Sequence, residues 1–496
     1  MAFAETTISE SAFNESSFLE NEEWDDDVAQ DYRAPFDLTT FLIIVYLFWF
    51  FTTPYLSNRL AFLGDLKFER ILAIALLGLT LAGGRINQLF SGISAFVGVL
   101  FGFMVFSFFL SSYPDYANSV HWADTYWKKV AFFVIVAAGL RQTQHLDRML
   151  KGMVCVIVFY QLISWLDFLK GGSFVYQQGM KRMIGTWSGG GYGAANKFGL
   201  LCAFGLPFLC HWYKTSGVRK TQLAIMAAAG MSIASIIFTG TRGALVVAFV
   251  YLVFAFRRSL LKPKRVVLIG LICVCLIPAL PQEIKYRYWD LMISAVTSSE
   301  PQEDLNVNDQ IAISSGRGRL TGMINGFQMG MRKPLFGYGP GTSPIANHEV
   351  LGFGDDHHFL QLHNIYGQIA AEVGLVGLAI WFLLIIASLA KLWILRRRFG
   401  PNSNGGSACS ALIGGFFVLL SYGFFSHSFY DVKWLFLTGT VVALGSFTWD
   451  DFAYESTDTA ELDEFDDEDF DDDEFDDDDE DFGDECLYAT ESWGAQ

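Results

Sequence analysis

Between residues 38 and 449 the sequence runs about twelve times through stretches of mostly apolar residues. Each is near the roughly 20 residues that a helix, rising 1.5 Å per residue, needs to cross a ~30 Å hydrocarbon layer. The stretches fall near 38–57, 67–83, 89–111, 127–140, 149–168, 196–213, 221–239, 242–256, 265–281, 363–391, 409–427 and 432–449. Apolar residues make up 52% of the 496 and charged residues only 17%, a balance outside the range of soluble domains. Within hydrocarbon every backbone N–H and C=O must be satisfied inside its own segment. The pattern predicts an all-α integral membrane protein of about 12 transmembrane helices.

The formal net charge of −18 belongs to the ends of the chain. Residues 1–40 carry eleven acids and one Arg, and residues 450–496 carry twenty-four acids and no base, leaving thirty-three bases against seventeen acids between them. A basic body suits anionic substrates or lipid headgroups; no nucleic-acid partner is expected. Short, densely basic loops follow the sixth span (Lys214, Arg219, Lys220), the eighth (Arg257, Arg258, Lys262, Lys264, Arg265) and the tenth (Lys391, Arg396, Arg397, Arg398), which places them in the cytoplasm. The expected organisation is an acidic cytoplasmic segment (1–37), a polytopic membrane domain (38–449) with a large outer loop (282–362), and a disordered acidic cytoplasmic tail (450–496). Acids rather than a basic region follow Met1, so the first apolar run reads as an uncleaved anchor. The scattered Cys form no CxxC pair and read as small core hydrophobes.

No GxxxxGK[ST] phosphate loop, GxSxG elbow, HExxH or EF-hand pattern is present. The cytoplasmic loops are too short for a nucleotide-binding domain. Two classes remain: a transporter, or an enzyme whose donor is already activated and lipid-linked.

Polar motifs gather on the outward side. At 100° per residue, Gly367, Ala370, Gly374 and Gly377 lie within about 40° of His363, with Glu372 opposite, so one helix presents a small-residue stripe with His363 at its outer end. Such a stripe admits a close helix neighbour. Thr239-Gly240-Thr241-Arg242-Gly243 opens the eighth span, where backbone N–H groups, the helix dipole and a guanidinium point one way. The outer loop holds Gly316-Arg317-Gly318-Arg319, two arginines in a flexible context that can fork onto phosphate oxygens, and then the turn-rich Pro334-Leu335-Phe336-Gly337-Tyr338-Gly339-Pro340-Gly341. Gly185–Asn196 reads as a glycine-rich linker or a sugar platform. His348, Asp355, Asp356, His357, His358 and His363 lack the spacing of zinc motifs, so no metal site and no cofactor are expected.

The order of TRG at a span start, GR in a long loop, PLFGYGPG, and HNIYGQIAAEVGLVG opening the next span resembles the O-antigen ligase and polymerase superfamily of bacterial envelope glycosyltransferases, over roughly residues 185–395. The resemblance implies a GT-C-like fold with the large loop between spans nine and ten. It also implies metal-independent, inverting transfer of a glycan from an undecaprenyl-pyrophosphate donor to a glycan or lipid A core acceptor, at the periplasmic face of the inner membrane. The catalytic residues it implies are His363, Arg242 and Arg319, with Arg317 the alternative to Arg319. A polytopic anion transporter of bicarbonate type is the other reading. A His titrating near neutrality suits a general base, fixed guanidinium groups suit a pyrophosphate leaving group, and Asn364 and Tyr366 are candidates to orient acceptor or imidazole.

Overall fold

The computed structural model describes residues 37–59, 68–83, 86–119, 122–177, 180–186, 194–260, 282, 285, 307–352, 354–355 and 358–447. In chain order its helices are α1 (Leu38–Arg59), α2 (Phe68–Ala82), α3 (Gly92–Phe109), α4 (Pro114–Ser119), α5 (Trp122–Gly139), α6 (Thr143–Leu169), α7 (Ala195–Lys214), α8 (Arg219–Phe238), α9 (Arg242–Leu260), α10 (Val307–Arg332), α11 (Ser343–Leu351), α12 (Ile365–Phe399), α13 (Asn404–Gly423) and α14 (Val432–Leu444). Two small antiparallel hairpins interrupt them: β1 (Phe174–Gln177) with β2 (Met180–Met183), and β3 (Gly354–Asp355) with β4 (His358–Phe359).

Five helices, α3, α6, α8, α12 and α13, are long and apolar enough to cross a membrane by length and composition, and shorter apolar stretches lie at Leu38–Trp49 and Val432–Leu444. The protein is thus a helical membrane protein. Eleven of the twelve apolar stretches overlap helices. The stretch 265–281 and the acidic termini other than Asp37 lie outside the described residues. Helix starts follow from short polar side chains that accept otherwise unpartnered backbone N–H groups. Asp37 accepts from Thr40 at 2.8 Å, Ser91 from Ser94 at 3.3 Å, Ser403 from Gly406 at 3.0 Å and Asp431 from Lys433 at 3.1 Å.

Helix α7 lies at the centre, packed on α6, α8, α9 and α13, while α12 packs on α3, α10 and α13. Large side chains fill the core between them, among them Phe198, Phe204, Phe208, Trp381, Phe416 and Tyr422. Outward-facing Ile74, Phe109, Phe249 and Ile386 are largely exposed. That exposure is costly in water and neutral against acyl chains.

Two expectations need correction. The segment around Arg317 and Arg319, read as flexible loop, is helical: both lie on α10. Its order comes from close packing rather than an apolar stripe. A Cβ at Gly322 would clash with the Leu362 carbonyl, one at Gly326 would stand 2.5 Å from the Gly367 carbonyl, and one at Gly330 would stand 2.8 Å from the Ala370 oxygen. Glycines at every fourth position therefore let α10 lie directly on the small-residue stripe of α12. The partner of that stripe is a helix of the 282–362 segment rather than an apolar span. Second, the stripe does not continue unbroken to Gly377. Gly374 leaves helical geometry at φ 81°, ψ 175°, a region open to glycine. The Pro334 carbonyl is pressed against this break, 2.6 Å from where a Cβ would stand, and accepts from Val376 N at 3.1 Å.

Candidate functional site

The site is built where α9, α10 and α12 begin or approach one another, around the loop that joins α13 to α14. Its common element is Phe425. A Cβ on Gly243, the residue after Arg242, would lie 2.8 Å from the Phe425 ring, and the Arg319 guanidinium carbon stands 5.9 Å from the centroid of that ring. Two residues along, His427 meets His363 with ring centroids 5.1 Å apart and planes at 60°. Gly243, Arg319 and His363, far apart in sequence, thus border one loop. Arg317 lies two residues before Arg319 on the same helix, about 200° around the axis.

His363 is placed by its own backbone. It has φ 49°, a left-handed conformation uncommon for any residue but glycine. It immediately precedes Asn364, whose Oδ1 caps α12 by accepting from Gly367 N at 2.9 Å. Asn364 is buried and donates to the Phe424 carbonyl at 3.4 Å. Tyr366 is also buried and donates to the Leu420 carbonyl at 2.8 Å. Both tie the start of α12 to the end of α13, which fixes the stem from which His363 projects. His363 itself keeps access to solvent.

Two residues missed in the sequence complete the arrangement. Arg182 on β2 is buried and holds the turn before Arg242. Its Nε donates to the Thr239 carbonyl at 2.7 Å, Nη2 donates to Asn196 Oδ1 at 2.8 Å, and Nη1 donates to Gln177 Oε1 at 3.0 Å. Gly240 in that turn has φ 59°, which glycine adopts without penalty. Arg182 had no local signal, since it sits in a hairpin between apolar runs. His427 stood at the end of an apolar run and read as part of the span.

Glu372 anchors the far side. Buried on α12, it accepts from Gly341 N at 2.9 Å, from Ser343 Oγ at 2.6 Å, from Gln368 Nε2 at 3.3 Å and from the Tyr430 hydroxyl. Tyr338 N donates to the Ala371 carbonyl at 2.9 Å and Gly339 N to the Glu372 carbonyl at 3.0 Å. The PLFGYGPG run is accordingly a brace that locks its turn onto α12 beside Gly374.

Charge in the site is predominantly positive. Desolvation, and then the neighbouring Arg319 guanidinium, hold His363 below the ordinary imidazole pKa, so its ring is neutral at pH 7. Burial, followed by His363 and Lys197, pushes His427 down to about 4. Desolvation also lowers Arg319, yet a guanidinium stays protonated in proteins. The arrangement offers a fixed cation beside a neutral base. Among the described residues no three His, Cys, Asp or Glu stand together to hold a metal ion; Asp356, His357 and most of the glycine-rich segment 185–196 lie outside those residues.

No curated protein matches the chain. Residues 227–382, which contain Arg242, Arg317, Arg319, His363, Asn364 and Tyr366, match the O-antigen ligase family. Over that stretch, which spans α9, α10 and the start of α12, the chain is similar to the O-antigen ligase family.

Proposed function

We propose that the protein transfers or polymerises a glycan carried on undecaprenyl pyrophosphate, joining it to an acceptor hydroxyl at the periplasmic face of the inner membrane. In this reading about twelve spans enclose the site in a GT-C-like arrangement, and both acidic termini face the cytoplasm. The observation that supports it is that Gly243, the neighbour of Arg242, the Arg319 guanidinium and the His363 ring all stand against the Phe425–His427 loop.

His363, neutral because desolvation and Arg319 disfavour its cation, accepts the proton of the acceptor hydroxyl as that oxygen attacks the anomeric carbon. The bond from the anomeric carbon to the pyrophosphate oxygen breaks on the opposite side, with inversion, and its electron pair leaves with the lipid pyrophosphate. Arg242 and Arg319 receive that charge. A guanidinium 4 Å from a phosphate oxygen supplies about 4 kcal/mol of gross attraction at an effective dielectric near 20, and a preorganised donor makes that attraction available where charge develops. Asn364 and Tyr366 act through His363, by fixing the turn that presents it. Arg317 contributes to donor attraction from the same helix.

The test is transfer by full-length protein in lipid nanodiscs, with an undecaprenyl-pyrophosphate oligosaccharide as donor and EDTA present. Wild type should form product. Arg242→Ala and Arg319→Ala should each lose kcat/KM for the donor with the acceptor KM retained. Normal donor kinetics in both variants would reject pyrophosphate recognition by these side chains, and protein-dependent anion uptake into vesicles without glycan transfer would favour the transporter.

A further inference from the structure

The loop between α13 and α14 presents two buried polar atoms that have no hydrogen-bond partner among the described residues: His427 Nδ1 and Ser428 Oγ. They are adjacent in sequence, and His427 packs edge-on against His363 at 5.1 Å. Buried polar groups are nearly always satisfied, and each exception needs an explanation. The surrounding backbone is well held. Asn364 donates to the Phe424 carbonyl, Phe429 N donates to Gln368 Oε1 at 3.4 Å, and the Ser428 carbonyl accepts from Trp434 Nε1 and from Asp431 N, each at 3.0 Å. A loop fixed at both flanks that leaves these two buried side-chain atoms unpaired, beside the base, has the character of a subsite.

We infer that His427 and Ser428 bind a sugar hydroxyl of the acceptor and so hold the attacking glycan against His363. This rests on the transfer reaction proposed above and deepens it by dividing the site. The guanidinium side takes phosphate; the imidazole–hydroxyl side takes a neutral alcohol. The chemistry of the pair selects that class. A hydroxyl both donates and accepts, as do a serine hydroxyl and, through its two tautomers, a neutral imidazole. Phosphate calls for charged donors, whereas burial, His363 and Lys197 keep His427 uncharged at pH 7. Neither atom faces bulk water, so the hydroxyl reaches them as the two side chains rotate on their fixed backbone.

The test uses full-length protein in nanodiscs with saturating undecaprenyl-pyrophosphate oligosaccharide as donor. The acceptor is varied, in one arm lipid A core and in the other the same oligosaccharide freed of its lipid. In whichever arm turns over, Ser428→Ala and His427→Ala should each raise the acceptor KM roughly tenfold, the fold-change of one lost hydrogen bond, with the donor KM unchanged. His427→Asn, whose amide stands near the Nδ1 position, should recover most of the loss. An unchanged acceptor KM in both alanine variants, with His363→Ala inactive in the same preparation, would overturn the subsite and leave the transfer reaction intact. Equal increases in donor and acceptor KM would also overturn it, as the mark of a general disturbance. If wild type transfers in neither arm, the reaction falls and the subsite falls with it.

Discussion

Replacing Gly326 with Ala tests whether the contact between α10 and α12 sets the chemistry. The new Cβ would stand 2.5 Å from the carbonyl carbon and oxygen of Gly367, about 1 Å inside the ordinary contact distance of ~3.5 Å between such atoms. Both neighbours are backbone, so neither can rotate away, and the helices must part by roughly that amount. Overpacking of this kind costs about 1–3 kcal/mol. The functional cost is larger in proportion, because Arg319 lies two turns from Gly326 on α10 and His363 stands at the start of α12. A displacement of ~1 Å between reacting groups can lower a rate by about 10²-fold. Gly318→Ala is the control: it lies on the same helix with nothing within 4 Å of its Cβ, and should gain up to ~1 kcal/mol of helix propensity. Thermal unfolding and single-turnover transfer, measured on both variants in nanodiscs, separate the effects. Equal turnover in Gly326→Ala and Gly318→Ala would refute the coupling of helix approach to catalysis.

Other perturbations follow from individual contacts. Glu372→Ala removes the acceptor shared by Gly341 N, Ser343 Oγ and the Tyr430 hydroxyl; leaving such buried donors unsatisfied should cost about 1–3 kcal/mol of stability, seen as early thermal unfolding, with Glu372→Gln intermediate. Arg182→Lys keeps the charge but loses the planar fork that grips Thr239 and Asn196, and donor kcat/KM should fall about tenfold with folding retained. Desolvation and Arg319 both lower the His363 pKa, so the acid limb of kcat/KM should lie below the ordinary imidazole value. Arg319→Gln removes a positive charge that disfavours the imidazolium, which raises that pKa and moves the limb to higher pH; a limb that stays in place or moves to lower pH would contradict the assignment of His363 as base.

The helical architecture was legible because hydrocarbon imposes one rule, apolar runs of sufficient length, and the runs at 38–57, 89–111 and 409–427 each overlap a helix. Helix α10 was not legible in the same way. It is held by glycines at 322, 326 and 330 against backbone atoms of another segment, and a stripe of absent side chains looks like flexibility when read locally. His363, Arg242 and Arg319 were visible as polar residues set in glycine-rich or helix-start contexts. His427 and Arg182 were not, because their roles come from partners distant in sequence, at His363 and at Thr239 and Asn196 respectively. Glu372 was read on the helix face opposite His363, but His363 precedes the Asn364 cap and lies outside that helix; the task of Glu372 in holding the 337–343 turn depends on where that turn folds back.

The most direct measurement is the single-turnover rate of glycan transfer by His363→Ala, taken beside its equilibrium binding of the lipid-pyrophosphate donor. Loss of a general base predicts a rate lower by about 10²–10⁴-fold with donor affinity close to wild type. A rate within about twofold of wild type at the same donor occupancy would show that the imidazole beside Arg319 does not take the proton.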